Sequence, residues 1–256
     1  MKNKITKQRS YQVIKSNEII QKARFTLSVQ QQRMLLYAIS KIKPTDDANT
    51  EYEMDIGELC EVCGIDKNNG YYYQTLKSDI QRLSDASAWI MYPDGHEELF
   101  RWINTVKTKP KSGIIKIKFH ESVQPYLFDL KTRFTQYELI NVLAFRSKYS
   151  IRLYELLKSY SNLQQISFDI ETLKRLIDAQ NYSRFPDFRV NVIEPAIKEI
   201  NTLSTDIRID YTWVKSGRKT TGILFELKKI SMLDHIIASE TRRKILNRET
   251  PKQQCK

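Results

Sequence analysis

Three spacings in this chain have residue types that could carry chemistry. Cys60-Glu61-Val62-Cys63 is a C-x-x-C, the opening of a zinc site or a redox pair. No second pair follows, and the motif ends a short helical pattern where small apolar side chains pack well, so filling a core is the expected role. His96, His120 and His235 are far apart in the chain. The His-apolar-His metal pair that nicks DNA together with a tyrosine is therefore missing, and the 14 tyrosines say little by themselves. Gly217-Arg218-Lys219-Thr220-Thr221-Gly222 is flanked by glycines but lacks the Gly-Lys-Ser/Thr of a phosphate loop, and it sits between strand patterns instead of before a helix. No acid, base or nucleophile set converges. The expectation is a binding protein, not an enzyme, with no metal and no cofactor.

What remains is basic chemistry. Lys215, Arg218 and Lys219 cluster on a turn between two cleanly alternating strand patterns, where a loop tip can reach phosphate; a merely solvated turn is the alternative. Upstream, Pro186 suits the first turn of a helix. Phe188, Val192, Ala196, Ile200 and Leu203 line one face of that helix. The opposite face carries Asp187, Val190, Asn191, Glu194 and Lys198, with Arg184 just before the helix. Arg184 and Asn191 have side chains that make paired contacts to guanine and adenine. The competing reading pairs Arg184 with Asp187 and sets Asn191 on carbonyls freed by Pro195, whose missing N–H predicts a kink. Earlier in the chain, Lys116 and Lys118 alternate with Ile115, Ile117 and Phe119, while Arg101, Lys107, Lys109 and Lys111 fall on the neighbouring strand and loop. Such a sheet could hold DNA backbone without reading sequence.

The elements that must position these residues repeat. Glu51 to Leu59 reads as a short strand, then Asp55 as a helix cap; Gln165 to Leu173 repeats strand, capping Asp169 and the following Ile and Leu. Each copy follows an amphipathic helix, at 28–42 and 148–160. Each is followed by a longer one: the first has Leu76, Ile80 and Leu83 inward and Tyr71, Gln74, Ser78, Gln81 and Asp85 outward. Hairpin patterns come next: 88–92 with 98–105 and a third strand at 114–119, then 207–213 with 221–227. Strand, helix, turn, helix and hairpin is the order of a winged helix. The reading is an α+β chain of two tandem winged-helix domains related by an internal pseudo-repeat: a basic tail 1–13, domains 14–131 and 132–235, and a second basic tail 236–256.

Composition agrees with two packed domains. The 256 residues are 41% hydrophobic, enough for real cores, and 7 Gly and 7 Pro exclude collagen-like or linker-like chains. No apolar run is long enough to span a membrane, no signal core follows the basic start, and three cysteines give no disulfide framework, so a cytoplasmic protein with no membrane partner is expected. The net charge of +12 is concentrated at the ends, because residues 26–227 hold 27 basic and 26 acidic side chains. Within that body, residues 46–66 have eight acidic and no basic side chains, and residues 101–118 six basic and no acidic ones, which predicts opposed faces.

These residues resemble the plasmid replication initiators that bind iterons through two winged-helix domains. The resemblance spans roughly residues 14–230. It is carried by Asn17-Glu18-Ile19 onward to Leu36, by Tyr182-Ser183-Arg184-Phe185-Pro186-Asp187-Phe188-Arg189, by Val192 to Asn201, and by Gly217-Arg218-Lys219-Thr220-Thr221. It implies double-stranded DNA with tandem direct repeats as the partner, a second domain that recognises the repeat, and a first domain that adds DNA contacts and mediates dimerisation. It also implies a homodimer in equilibrium with a DNA-binding monomer, repression of its own promoter in some members, and host initiator and helicase as further partners. By position, Arg184, Asp187, Arg189, Val190 and Asn191 fall at the DNA-facing start of the recognition helix, and Arg218 and Lys219 on the wing. Val190-Asn191 departs from the arginine run of some members. A winged-helix transcription regulator would share every one of these DNA-binding features.

Overall fold

The structure, a computed structural model, describes residues 11–47, 49–67, 70–92, 94–109 and 112–248. The first half runs β1 (Gln12–Ser16), α1 (Asn17–Lys22), β2 (Ala23–Arg24), α2 (Val29–Ile39), β3 (Tyr52–Asp55), α3 (Ile56–Cys63), α4 (Tyr72–Asp85), β4 (Ser87–Met91), β5 (Glu97–Arg101), β6 (Ile103–Thr108) and β7 (Ile114–Phe119). A short 3-10 turn, Glu121–Tyr126, leads to the second half. That half runs β8 (Phe134–Glu138), α5 (Ile140–Leu143), α6 (Lys148–Lys158), β9 (Gln165–Asp169), α7 (Ile170–Leu176), α8 (Phe185–Phe188), a π-helical turn (Arg189–Ile193), α9 (Glu194–Leu203), β10 (Arg208–Ser216), β11 (Lys219–Lys228) and α10 (Met232–Arg248).

Local chemistry sets the repeat. Asp55 accepts from the Glu58 N–H at 2.9 Å and Asp169 from the Thr172 N–H at 2.8 Å, so each opens the first helix of a helix-turn-helix. Gly64 then ends α3 in the left-handed region, at φ 68°. Ser28 and Ser147 cap α2 and α6, the former in a reciprocal capping box with Gln31. The inward stripes are buried as their spacing predicts: Leu76, Ile80 and Leu83 on α4, and Phe188, Val192, Ala196, Ile200 and Leu203 around α9.

Both halves fold their wings alike, in sheets ordered β3-β7-β6 and β9-β11-β10. The strand predicted over 98–105 is not continuous but breaks at Trp102. That indole is wholly buried, edge-on to Phe25 at 5.1 Å and to Phe100 at 4.9 Å. The chain changes sheets around it: β5 pairs with β4 in a separate β2-β4-β5 sheet, while β6 pairs with β7. Arg101, at the end of β5, is consequently not on the strand beside Lys107.

Both predicted tails enter folded structure. Residues 1–10 and 249–256 lie outside the described residues, but Val13 is fully buried in β1, and the chain is helical from Met232 to Arg248. Arg242 of that helix is buried and donates to the Asn141 side chain at 2.5 Å. The two halves meet through β1 and β8, which pair antiparallel about Ile14 and Gln136. These are corresponding strands of the repeat, so the junction has a local two-fold. Buried Lys15 of β1 forms an ion pair with buried Glu155 of α6, and Tyr137 of β8 donates to the same carboxylate at 2.5 Å. Burial pushes the Lys15 ammonium down and Glu155 opposes that shift.

Candidate nucleic-acid interface

In the second half, α8 starts at Phe185 with Pro186 in its first turn. Directly before Pro195 the helix widens into the π turn, with the Glu194 N–H reaching back five residues to the Arg189 carbonyl. Pro195 has no N–H to offer the Asn191 carbonyl, so the ladder slips where a kink is expected. The Asn191 amide donates to the Asp187 carbonyl at 2.9 Å. Arg184 Nε lies 3.7 Å from Asp187, and Arg189 Nε 3.1 Å from Glu194. Of the second sequence reading, the Arg184–Asp187 pair is present, whereas Asn191 covers the Asp187 carbonyl one turn back instead of a carbonyl freed by Pro195. Those pairs are weak tethers: Arg184 and Asp187 are 75% and 48% exposed, and surface pairs contribute about 0–1 kcal/mol. A phosphate or base edge can replace either partner. Between them Val190 projects into solvent, 53% exposed, an apolar side chain on an otherwise polar helix face.

The start of this helix is seated by aromatics that the sequence reading did not single out. Phe185 stands edge-on to Trp213 of β10 at 5.0 Å, and Tyr211 edge-on to Trp213 at 5.4 Å. Helix start and wing are thus one packed unit, and burial pushes the Tyr211 phenol up. Alternation of Tyr211 and Trp213 was the available signal, because it points both rings to one side of β10.

The wing itself is a two-residue hairpin turn, Gly217-Arg218, with Gly217 at φ 59° in the first position. Lys215, Arg218 and Lys219 are all exposed around it. Among the described residues no carboxylate lies within ion-pair distance of these three, so their charge is uncompensated.

The first half gathers its basic residues differently. Lys107, Lys116 and Lys118 share the β3-β7-β6 sheet, Lys109 is exposed just beyond β6, Lys111 lies outside the described residues, and Arg101 is in the other sheet. The acidic and basic blocks do not form opposed faces. They are neighbouring strands: Glu53 is in register with Lys116 and pairs with it at 2.6 Å, Glu51 pairs with Lys107, and Lys118 donates to Asn49 at 2.8 Å. Opposite charges on facing cross-strand positions attract, which explains why the blocks pack together. The hydrogen bond from Lys107 holds the Glu51 carboxyl below its usual range, and Glu53 raises the Lys116 ammonium. Alternation of Glu51 and Glu53 beside that of Lys116 and Lys118 carried this signal.

Other candidate chemistry is placed in the core or apart. Cys60 and Cys63 are buried, and burial raises both thiols. Among the described residues no group of three or more His, Cys, Asp or Glu side chains could hold a metal ion. No helix there is long and apolar enough to cross a membrane.

A replication initiation protein of Escherichia coli is 28% identical over 242 residues, covering 89% of this chain and 73% of that one. A PI protein of Escherichia coli is 29% identical over 142 residues, 48% of this chain and 47% of that one. The solved structure of a Pi initiator protein in complex with iteron DNA is similar with a TM-score of 0.68 over 87% of this chain and 99% of that chain, at 22% identity. Family models match both halves, the initiator replication protein first winged-helix domain over residues 12–158 and the second over residues 169–227. The chain belongs to the family of initiator replication proteins with two winged-helix domains.

Proposed function

We propose that this initiator binds tandem direct repeats, iterons, in double-stranded DNA at a plasmid origin. Its two domains divide near residues 131 and 132. The start of α8, through Arg184, Asp187, Arg189, Val190 and Asn191, enters the major groove, and Lys215, Arg218 and Lys219 follow the phosphates. The first domain adds backbone contacts through Lys107, Lys109, Lys111, Lys116 and Lys118. The observation that carries this reading is the uncompensated wing packed, through Trp213 and Phe185, against an exposed helix start. Arg101, on β5 of the other sheet, is not included in this proposed surface.

In this reading the protein cuts nothing and needs no cofactor. It works in the cytoplasm as a DNA-binding monomer in equilibrium with a homodimer that represses its own promoter. It delivers the host initiator and helicase to the opened origin. The test is footprinting on supercoiled origin plasmid with Mg²⁺ present. Protection should recur at each direct repeat and no protein-dependent relaxed circles should form. Protection of a single operator without repeats, or a nick lost in a tyrosine variant, would overturn the reading.

A further inference from the structure

Two buried arginines occupy the same place in the repeat, one in each half. Arg33 lies five residues after the cap Ser28 of α2, and Arg152 five residues after the cap Ser147 of α6. Arg33 donates to the carbonyl of Cys63, the last residue of α3, at 3.0 Å, and to the carbonyl of Phe145, just past α5 of the other half, at 2.9 Å. Arg152 mirrors it. It donates to the carbonyl of Leu176, the last residue of α7, at 2.9 Å, and to that of Ala23, just past α1 of the other half, at 3.0 Å. Both side chains are buried, at 6% and 3% exposure. The Arg152 guanidinium also lies 4.2 Å from the centre of the Phe25 ring, again across the junction.

The chemistry of this arrangement is specific. Helix C-termini leave carbonyls without partners and carry partial negative charge, so two such ends brought together need a donor between them. A guanidinium offers several N–H groups in a fixed planar fork and stays charged, which a lysine or an amide cannot reproduce. Turning one half against the other would keep each arginine's bond to its own half, and Arg152's ion pair with Glu155 at 3.9 Å, but would break the bonds to Phe145 and Ala23 and leave those two buried carbonyls without a donor. The pinned elements matter as well. α3 and α7 are the helices that precede α4 and α8, so their ends determine where each outward helix begins.

We infer that Arg33 and Arg152 are positioning residues that fix the spacing and rotational phase at which the two helix-turn-helix units meet one DNA duplex. This rests on the reading that both halves engage the same repeat. A rigidly joined pair gains the avidity of its second domain only on a site of matching geometry, whereas a loosely joined pair gains it over a range of spacings.

The experiment uses the full chain with Arg33→Met and Arg152→Met, which keep bulk and lose the donors. Hydroxyl-radical footprinting first locates the segments protected by each half. Binding is then titrated on the natural repeat and on one with about five base pairs, half a helical turn, inserted between those segments. The wild-type protein should lose about 100-fold on the inserted site, the avidity of its second domain. Each variant should lose less than about tenfold there while still protecting both segments. Because burying methionine against carbonyls could unfold the chain, Thr26→Val supplies a second arm. It removes a more exposed bond across the same junction, Thr26 to Asp178 at 2.8 Å, and should narrow the penalty in the same direction. A cooperatively folded Arg33 or Arg152 variant with the full wild-type penalty, or Thr26→Val with an unchanged penalty where both arginine variants unfold, would overturn the inference. A wild-type footprint from one half alone would instead overturn the two-domain reading beneath it.

Discussion

The two wings are built from corresponding strands in the same order, yet they differ in what surrounds their lysines. In the first, β7 lies against β3, with Glu53 in that strand and Glu51 just before it, and Lys107 and Lys116 each have a carboxylate partner. In the second, the strand beside β11 is Gln165–Asp169, whose acidic residue is occupied in capping a helix, and Lys215, Arg218 and Lys219 face water. One topology thus gives a charge-balanced sheet in one half and an uncompensated basic loop in the other. The helices differ in the same sense. α8 is clamped to its wing by Phe185 and Trp213, while an open groove of about 290 Å³ runs along the contact of α4 with β6. The frame is shared, and side chains at a few strand positions set the charge of each wing.

The largest expected effect concerns that clamp. Trp213→Ala removes the ring between Phe185 and Tyr211 and should cost about 2–4 kcal/mol in urea unfolding, short of a fully buried tryptophan because Trp213 is half-buried. Val106→Ala, at the open groove of the first half, should cost about 1 kcal/mol or less. Equal losses would mean that the two helix-wing junctions are packed alike.

Next comes base reading. Arg184→Ala and Asn191→Ala should each lose about 1–3 kcal/mol on the natural repeat and tolerate changes at one base pair. Gln74→Ala and Gln81→Ala, outward on α4, should leave base preference unchanged. Asn191 also covers the Asp187 carbonyl, so its variant needs a melting curve beside the binding curve. Uniform weakening on every variant site, with lowered stability, would assign Asn191 to the helix and not to DNA.

Much of this frame was legible in the residues. The capping Asp55 and Asp169, the inward stripes of α4 and α9, and the Gly217 turn are local, and each is decided by neighbours within a few positions. What escaped is decided across the fold. The stretch 98–105 reads as one strand, and only the burial of Trp102 against Phe25 shows that it serves two sheets. The acidic and basic blocks looked like opposed faces because sequence gives charge but not pairing. Residues 236–248 read as a tail because exposed Ile236 and Ile237, after Met232 and Leu233, hide the spacing of buried Ala238, Arg242 and Leu246. Arg33 and Arg152 each look like one more basic residue until the carbonyls of the other half are in place. At the helix start, Pro195 predicted a disturbance, and the π turn is the form it takes.

The wings themselves provide the third test. Replacing Arg218 and Lys219 by alanine should reduce the slope of log affinity against log salt by about 2, if each neutralises one phosphate. Lys107→Ala with Lys116→Ala should reduce it by less than about 1, since those ammonium groups already have carboxylates and displace fewer counterions. Comparable reductions would make the charge balance of the first wing irrelevant to binding.

The smallest effect is also the most discriminating, because it changes no basic residue. Glu51→Gln with Glu53→Gln keeps the shape of β3 and its hydrogen-bonding capacity but removes both negative charges beside Lys107 and Lys116. If the first wing is weak only because it is neutralised, the double variant should bind random-sequence DNA about two- to fivefold more tightly in low salt, with the slope steeper by up to about 2. Affinity for the natural repeat should rise by the same factor, leaving the ratio of specific to random binding unchanged, since phosphate contacts carry no base information. The gain should fade at high salt, where exposed charges are screened. An unchanged slope would show that this sheet does not face DNA at all, and contact with the duplex would then belong to the second half alone.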